Sequence, residues 1–408
     1  MSMHGVEEEG INTLFTGVNM NIRVFMLFGL LCLTINIAAQ VLPHPQRIES
    51  LPEELIGDDF TSEVKNIFFT RDSRIDLTNN VLVLRIAFPD HPFQTEETFP
   101  SFHPHNAEYF RKYMQHVKNF YLDASGGKYE LNYFLAPEIY TMSNNLSYYG
   151  DDATESRRRV EMIGELIELI GETLPFKNYE ALIVFHSAAG QESDIFNTQR
   201  HTLWSTFMSI NTFRSVFDPG NLNYPGIPTA DGSFVTKTAL VASSEFHPDF
   251  LTHPDFESNQ NAFHYEILGV LATQLGRVIG LPTLFGNVSA FGSHAGTGNF
   301  CIMGTGTWNN DGRTPPLPSA WVRYFAGWVE PVEIEQNMEG VQITYPMAEW
   351  VSGVHTDEES INASLLRKSE ISATERTSAL STVYKINISE KEYFLIENRQ
   401  HNFIKDFY

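Results

Sequence analysis

The sequence predicts an α+β fold with a β-rich segment at its C-terminal end. Three observations predict it. An apolar run over 80–88 ends at Pro89-Asp90, as a buried strand does. Three stretches, 106–122, 154–173 and 261–279, carry apolar residues at helical spacing. Beyond residue 330 the pattern becomes strand-like at 341–345, 382–388 and 392–397. Strand, helix and strand first, a long central helix next and strands last is an order that α+β domains adopt.

The elements follow in order. The helix over 106–122 places Phe110, Met114 or Tyr113, Val117 and Tyr121 on one face. Gly126-Gly127 punctuates the chain, and Lys128 to Phe134 then alternates like a half-buried strand. The second helix, 154–173, ends before Pro175. Residues 181–186 are a short apolar run, expected as a buried strand. The third helix stops at Gly280 and Pro282, and the Gly-rich stretch 286–306 after it reads as loop. There is no internal repeat.

Composition excludes several classes. The chain has 408 residues, 42% of them hydrophobic, which is enough for a sizeable core and too much for overall disorder. Its formal net charge of -23 repels nucleic-acid phosphate and anionic lipid headgroups, so no nucleic-acid partner is expected. Only Cys32 and Cys301 occur, which excludes a disulfide-stapled scaffold.

Arg23, an apolar run to Ile37 and small Ala38-Ala39 form the pattern of a secretory signal peptide. The run is shorter than the ~20 apolar residues of a membrane span, and Asn36 interrupts it. Cleavage near Ala39 is expected, giving a secreted chain with no membrane attachment and Cys301 as its one cysteine. Met20, just before the run, offers an alternative start that leaves out residues 1–19. Residues 40–78, with Pro43, Pro45 and Pro52, read as a linker or pro-segment. A main domain over 79–330 and a β-rich segment over 331–408, with truncation at the C-terminus one expectation, complete the organisation.

The segment 269–285 carries the chemistry. A buried helix, a Gly turn and Leu281-Pro282 form the setting in which zinc peptidases hold H-E-x-x-H. There the two His at i and i+4 share a face and bind the metal, and the Glu activates its water. Here those slots hold Thr273, Gln274 and Arg277, with Leu275 and Gly276 between.

The chain resembles the secreted zinc metalloproteases of the immune inhibitor A family, whose motif runs roughly A-H-E-F-G-H-x-L-G-L-P-D-L-Y. Residues 272–285 keep the apolar and Gly-Leu-Pro positions and change the chemical ones; Thr283 stands where Asp is usual. Further stretches resemble the family in order: 83–90, 125–129, 185–192, Leu203-Trp204-Ser205, 302–308, 312–316, Ser319-Ala320-Trp321, Gly327-Trp328 and 392–400. The resemblance implies a zincin-like fold, with a mixed-sheet lobe, an active-site helix beneath it and a C-terminal lobe. It implies an ancestral zinc endopeptidase, with Met303 in the turn under the metal and Gly276 and Gly280 structural near the site.

It does not imply activity. Thr273 offers a weak neutral oxygen, and Gln274 has no titratable group to take a proton from water. Arg277 is a cation at a ligand position, and a divalent ion ~4 Å from it at an effective dielectric near 20 loses on the order of 8 kcal/mol. That is large beside the ~10–16 kcal/mol that binds a complete structural zinc site. No Asp or Glu occurs from Ile267 to Asn310, which leaves His294 and Cys301 as local replacements.

Other residues carry alternatives. His103 and His105 are candidates for a surface metal. His186 is expected to be a hydrogen-bonded structural His, and His247 and His253 lack a metal-helix spacing. Glu192 and Asp194 fit a calcium site or a solvated loop equally. Glu266 shares a helix face with Thr273 about 10 Å away, and His264 precedes it. The Thr273–Arg277 face also carries Gly269, Gly276 and Gly280, a pattern for close packing against a neighbouring element. Met303 alone reads as core. The expected function is therefore a secreted pseudopeptidase, with no metal cofactor, that keeps peptide or protein binding. The alternatives are an active zinc endopeptidase with non-standard ligands and a decayed copy.

Overall fold

The computed structural model describes residues 77–94, 104–151, 154–195, 201–247, 265–284, 297–334, 383–389 and 392–397. The signal-like run, residues 40–76, His103, His253, His264, His294 and the expected strand at 341–345 lie outside the described residues.

Strand β1 (Asn80–Ala87) is buried on both sides. Its side chains alternate between two apolar clusters, Val81 and Val83 in one and Leu82, Leu84 and Ile86 in the other. Such a strand needs a layer of structure on each face.

Helix α1 (Ala107–Ala124) supplies part of one layer. Asn106 caps it, its Oδ1 accepting from the amides of Glu108 and Tyr109 at 2.9 and 3.1 Å. The buried stripe runs through Phe110, Tyr113, Met114, Val117, Phe120 and Tyr121. Gly126 and Gly127, at φ of 63° and 81°, turn the chain out of the helix.

Strand β2 (Asn132–Thr141) starts later than the alternation predicts. Residues 128–131 belong to the turn: Ser125 Oγ accepts from the Tyr129 amide at 2.9 Å, and the Tyr129 hydroxyl donates to Thr78 O at 2.7 Å. These bonds hold Tyr129 in the core before the ladder begins.

One-turn helix α2 (Leu146–Tyr149) leads to α3 (Glu155–Ile170), which covers the opposite face of the sheet with Met162, Ile163, Leu166, Ile167 and Ile170. Strand β3 (Ala181–Ala189) follows. Short strand β4 (Thr206–Met208), helix α4 (Ile210–Phe217) and the two-residue ladder of β5 (Ile227–Pro228) with β6 (Phe234–Val235) precede β7 (Thr238–Ser244).

The main sheet has the order β2-β1-β3-β7-β4. The first four strands are parallel, and edge strand β4 is antiparallel to β7. Helix α5 (Ile267–Ile279) packs beside α1 on the same side of the sheet. The chain is thus a mixed α/β structure with a mixed sheet, compatible with the α+β expectation.

Helix α6 (Ala320–Phe325) meets a second sheet of β8 (Val332–Glu333), β9 (Val383–Asn387) and β10 (Tyr393–Glu397). Its order is β10-β9-β8. Arg323, buried in α6, pairs with Glu397 of β10, whose Oε1 also accepts from the Ala320 amide at 2.9 Å. Among the described residues no helix is long and apolar enough to cross a membrane.

Candidate functional site

Helix α5 begins at Ile267, six residues after the expected start at 261; residues 261–264 lie outside the described part. Glu266 is its N-cap residue, in extended conformation, and so does not share a helix face with Thr273. The Glu266 carboxylate accepts a 2.5 Å hydrogen bond from the Tyr113 hydroxyl of α1. The first amides of α5 are met by carbonyls: Glu266 N donates to Asp311 O at 2.8 Å and Gly269 N to Gly312 O at 2.9 Å.

This close approach needs glycine. A Cβ on Gly269 would lie 1.9 Å from Thr307 O. One on Gly276 would lie 2.6 Å from Met303 Sδ and 2.5 Å from the Tyr121 hydroxyl. Both fit the expected close-packed face, and Met303 is core. Gly280 does not belong to that contact: among the described residues a Cβ there meets nothing within 4 Å, and its φ of 109° makes it the left-handed cap that ends the helix.

The three informative side chains point into this packing. Thr273 and Gln274 are fully buried and Arg277 is 6% exposed. Thr273 Oγ1 lies 2.6 Å from Thr307 Oγ1, 3.0 Å from Gly269 O and 3.2 Å from Ile302 O. Gln274 Nε2 donates to Ser205 O at 2.8 Å. Burial brings the Arg277 guanidinium down to about 9.

Zinc does not fit this donor set. The Thr273 hydroxyl is committed to protein partners, the Gln274 amide nitrogen to a carbonyl, and Arg277 is a cation. Among the described residues no three His, Cys, Asp or Glu side chains are placed to hold a metal ion. Cys301 is buried and free as a thiol, and its sulfur accepts from the Ser319 amide at 3.2 Å.

The remaining candidates are placed as follows. His105 is buried, its ring 4.6 Å from that of Tyr109, so it does not offer a surface metal ligand. His186 is buried on β3, and among the described residues neither ring nitrogen has a hydrogen-bond partner, so the expected hydrogen bond is not formed there. Burial first, and the Arg159 charge second, bring it down to about 3. Asp194 and Glu192 are buried, not solvated.

Glu192 meets Glu245, which sequence reasoning did not single out. Glu192 Oε2 accepts from the Ser205 amide at 3.0 Å, while among the described residues Glu192 Oε1 and both Glu245 carboxyl oxygens meet no donor, and the two carboxyls converge on Gly190. Burial pushes the Glu192 carboxyl up. Burial first, and the Glu192 charge second, push Glu245 well above the usual carboxylate range. Ser205 thus connects Glu192, through its amide, to Gln274, through its carbonyl. The one signal for Glu245 was its place just after β7, a strand without apolar alternation.

Compared with protein-family models and with curated proteins, the chain matches none.

Proposed function

We propose that this chain is a secreted pseudopeptidase with a zincin-like fold, a non-catalytic relative of immune inhibitor A metalloproteases that binds a peptide or protein. The observation that carries the proposal is the internal use of Thr273, Gln274 and Arg277. A catalytic zinc needs about three protein ligands and an open position for water. Here the helix positions that would serve it are buried and, for Thr273 and Gln274, hydrogen-bonded to protein.

Other features support the reading. A mixed sheet lies over α5, and Met303 sits against Gly276 beneath it. The replaced side chains are accommodated, which favours a maintained fold over a decayed copy. Ligand binding rests on the zincin-like fold, since such folds hold peptides as an added strand. Export rests on Arg23 and the apolar run after it.

Elemental analysis and casein hydrolysis with and without a chelator test the proposal. The expected result is no stoichiometric zinc and no chelator-sensitive cleavage. One zinc per chain with cleavage abolished by chelator overturns it in favour of an active enzyme with unusual ligands. A partner pull-down from secreted material separates a binding protein from a functionless copy.

A further inference from the structure

We propose that Glu192 and Glu245 hold one proton between them at neutral pH, as a latch that ties the loop after β3 to the end of β7 and opens in alkaline solution. The inference does not depend on the pseudopeptidase reading.

The geometry comes first. Glu192 lies in the one-turn segment Gln191–Ser193 after β3, and Glu245 follows β7 directly. Their carboxyls crowd over the Cα of Gly190: a Cβ built there would lie 2.6 Å from Glu245 Oε2 and 2.9 Å from Glu192 Oε1. Both side chains are buried. Among the described residues no lysine or arginine forms an ion pair with either. Two adjacent buried carboxylates without a countercharge cannot both ionise at modest cost. One retained proton replaces that repulsion with a charge-assisted O–H···O bond.

The groups that face the pair come from every neighbouring element. From the loop comes Ser193, near Glu245. Ahead of β4 stands Ser205, whose amide donates to Glu192. From the end of β7 comes His247, with Nε2 2.8 Å from Gly190 O and 3.2 Å from Ser193 Oγ. From α1 comes Tyr109, near Glu245, with its hydroxyl donating to Ser243 O at 2.7 Å. Glu266, at the start of α5, adds negative charge near Tyr109. Gln274 reaches the same place through Ser205 O. Apart from His247, the titratable groups that face the pair are acids or a phenol, so they favour retention of the proton.

The latch has a defined sign. Carboxyls raised in the folded state contribute stability fully below their unfolded value of about 4.3. That stability is lost as pH rises through the folded values. When the shared proton leaves to solvent base, both oxygens repel and the loop separates from β7. The Ser205 contact then loosens.

The test uses the full-length chain. Thermal unfolding is followed from pH ~5 to pH ~9 for wild type, Glu245→Gln and Glu192→Gln, alongside the infrared band of protonated carboxyl groups. Glutamine at 245 can donate to Glu192 and has no carboxyl proton to lose. The wild-type midpoint should therefore fall with rising pH by a few degrees more than that of Glu245→Gln. A protonated-carboxyl band should be present in wild type at neutral pH and missing from both variants. The protection factors of the amides at 190–194, which are corrected for the intrinsic rise of exchange with pH, should fall in alkali in wild type alone. If a variant does not fold, the infrared titration of wild type decides: a band at neutral pH that bleaches in alkali supports the latch, and its absence overturns it. Parallel pH profiles for wild type and Glu245→Gln also overturn it. A midpoint raised by added calcium or zinc, with loss of the band, assigns the pair to a metal ion and overturns it as well.

Discussion

Thr273 Oγ1 and Thr307 Oγ1 lie 2.6 Å apart, tying the middle of α5 to the turn that follows Met303. Each hydroxyl has one proton, so one donates across the pair and the other is free to donate to a carbonyl. Ile302 O and Gly269 O stand within 3.2 Å of Thr273 for that purpose. Thr273→Val keeps the shape and removes the hydroxyl, leaving Thr307 with one partner fewer in a dry site. Unfolding in urea should show a loss of about 1–3 kcal/mol. An unchanged midpoint would mean that this contact contributes nothing.

Two glycines on the same helix should respond differently to alanine. At 269 the new methyl meets the backbone carbonyl of Thr307 at 1.9 Å, and backbone has little room to give. At 276 the obstacles are the far ends of the Tyr121 and Met303 side chains, and a methionine thioether can swing. Gly269→Ala should cost at least about 3 kcal/mol or leave no folded protein, and Gly276→Ala about 1 kcal/mol. The same urea titration checks both. The reverse order would show that α5 does not pass Thr307 as closely as described.

How much of this was legible depended on which residues carry a pattern. Strand β1, helix α1 and strand β3 have dense apolar runs or a clean helical stripe, and their positions follow from the sequence within a few residues. Strand β7 is as buried as β3, yet it reads Thr-Ala-Leu-Val-Ala-Ser-Ser, without the alternation or bulk that marks a strand. Its loss concealed Glu245. Strand β2 starts later than its alternation implies, because Tyr129 and Leu131 alternate like strand residues while Ser125 Oγ holds the Tyr129 amide in a turn. Thr273, Gln274 and Arg277 were visible through their spacing. Their partners Thr307 and Ser205 were not, because contacts between distant segments leave no local pattern.

Stability below neutral pH should report on His186. It sits on the α3-facing side of β3 among Leu182, Val184 and Ala188, near Arg159 of α3. Its folded value near 3 lies below the unfolded value of about 6.5. Between these limits the unfolded chain binds the extra proton, so stability falls as pH drops. His186→Leu removes that term and fills the site with an apolar group. Its midpoint should fall less than that of wild type between pH ~7 and pH ~5. Equal slopes would show that His186 takes up its proton in the folded state.

The combined change Thr273→His, Gln274→Glu and Arg277→His installs the H-E-x-x-H spacing, and it should give no protease. At 273 an imidazole must fit where a threonine is fully buried between Ile302 O and Thr307. Overfilling of this kind costs about 1–3 kcal/mol at one site. At 274 the amide that donates to Ser205 O becomes a carboxylate, so two acceptors face each other in a dry place. The new carboxylate also lies one residue away, through Ser205, from Glu192, which itself meets Glu245. Like charges there raise its affinity for a proton and weaken it as a base. Arg277→His alone removes the repulsion of a bound ion. A third ligand is still required, and none of the three changes supplies it. The triple variant should therefore unfold at lower urea than wild type, retain no stoichiometric zinc after dialysis and cleave no casein in a chelator-sensitive way. Chelator-sensitive cleavage by this variant would show that a third ligand stands close to α5 and that these three positions alone keep the chain from being a protease.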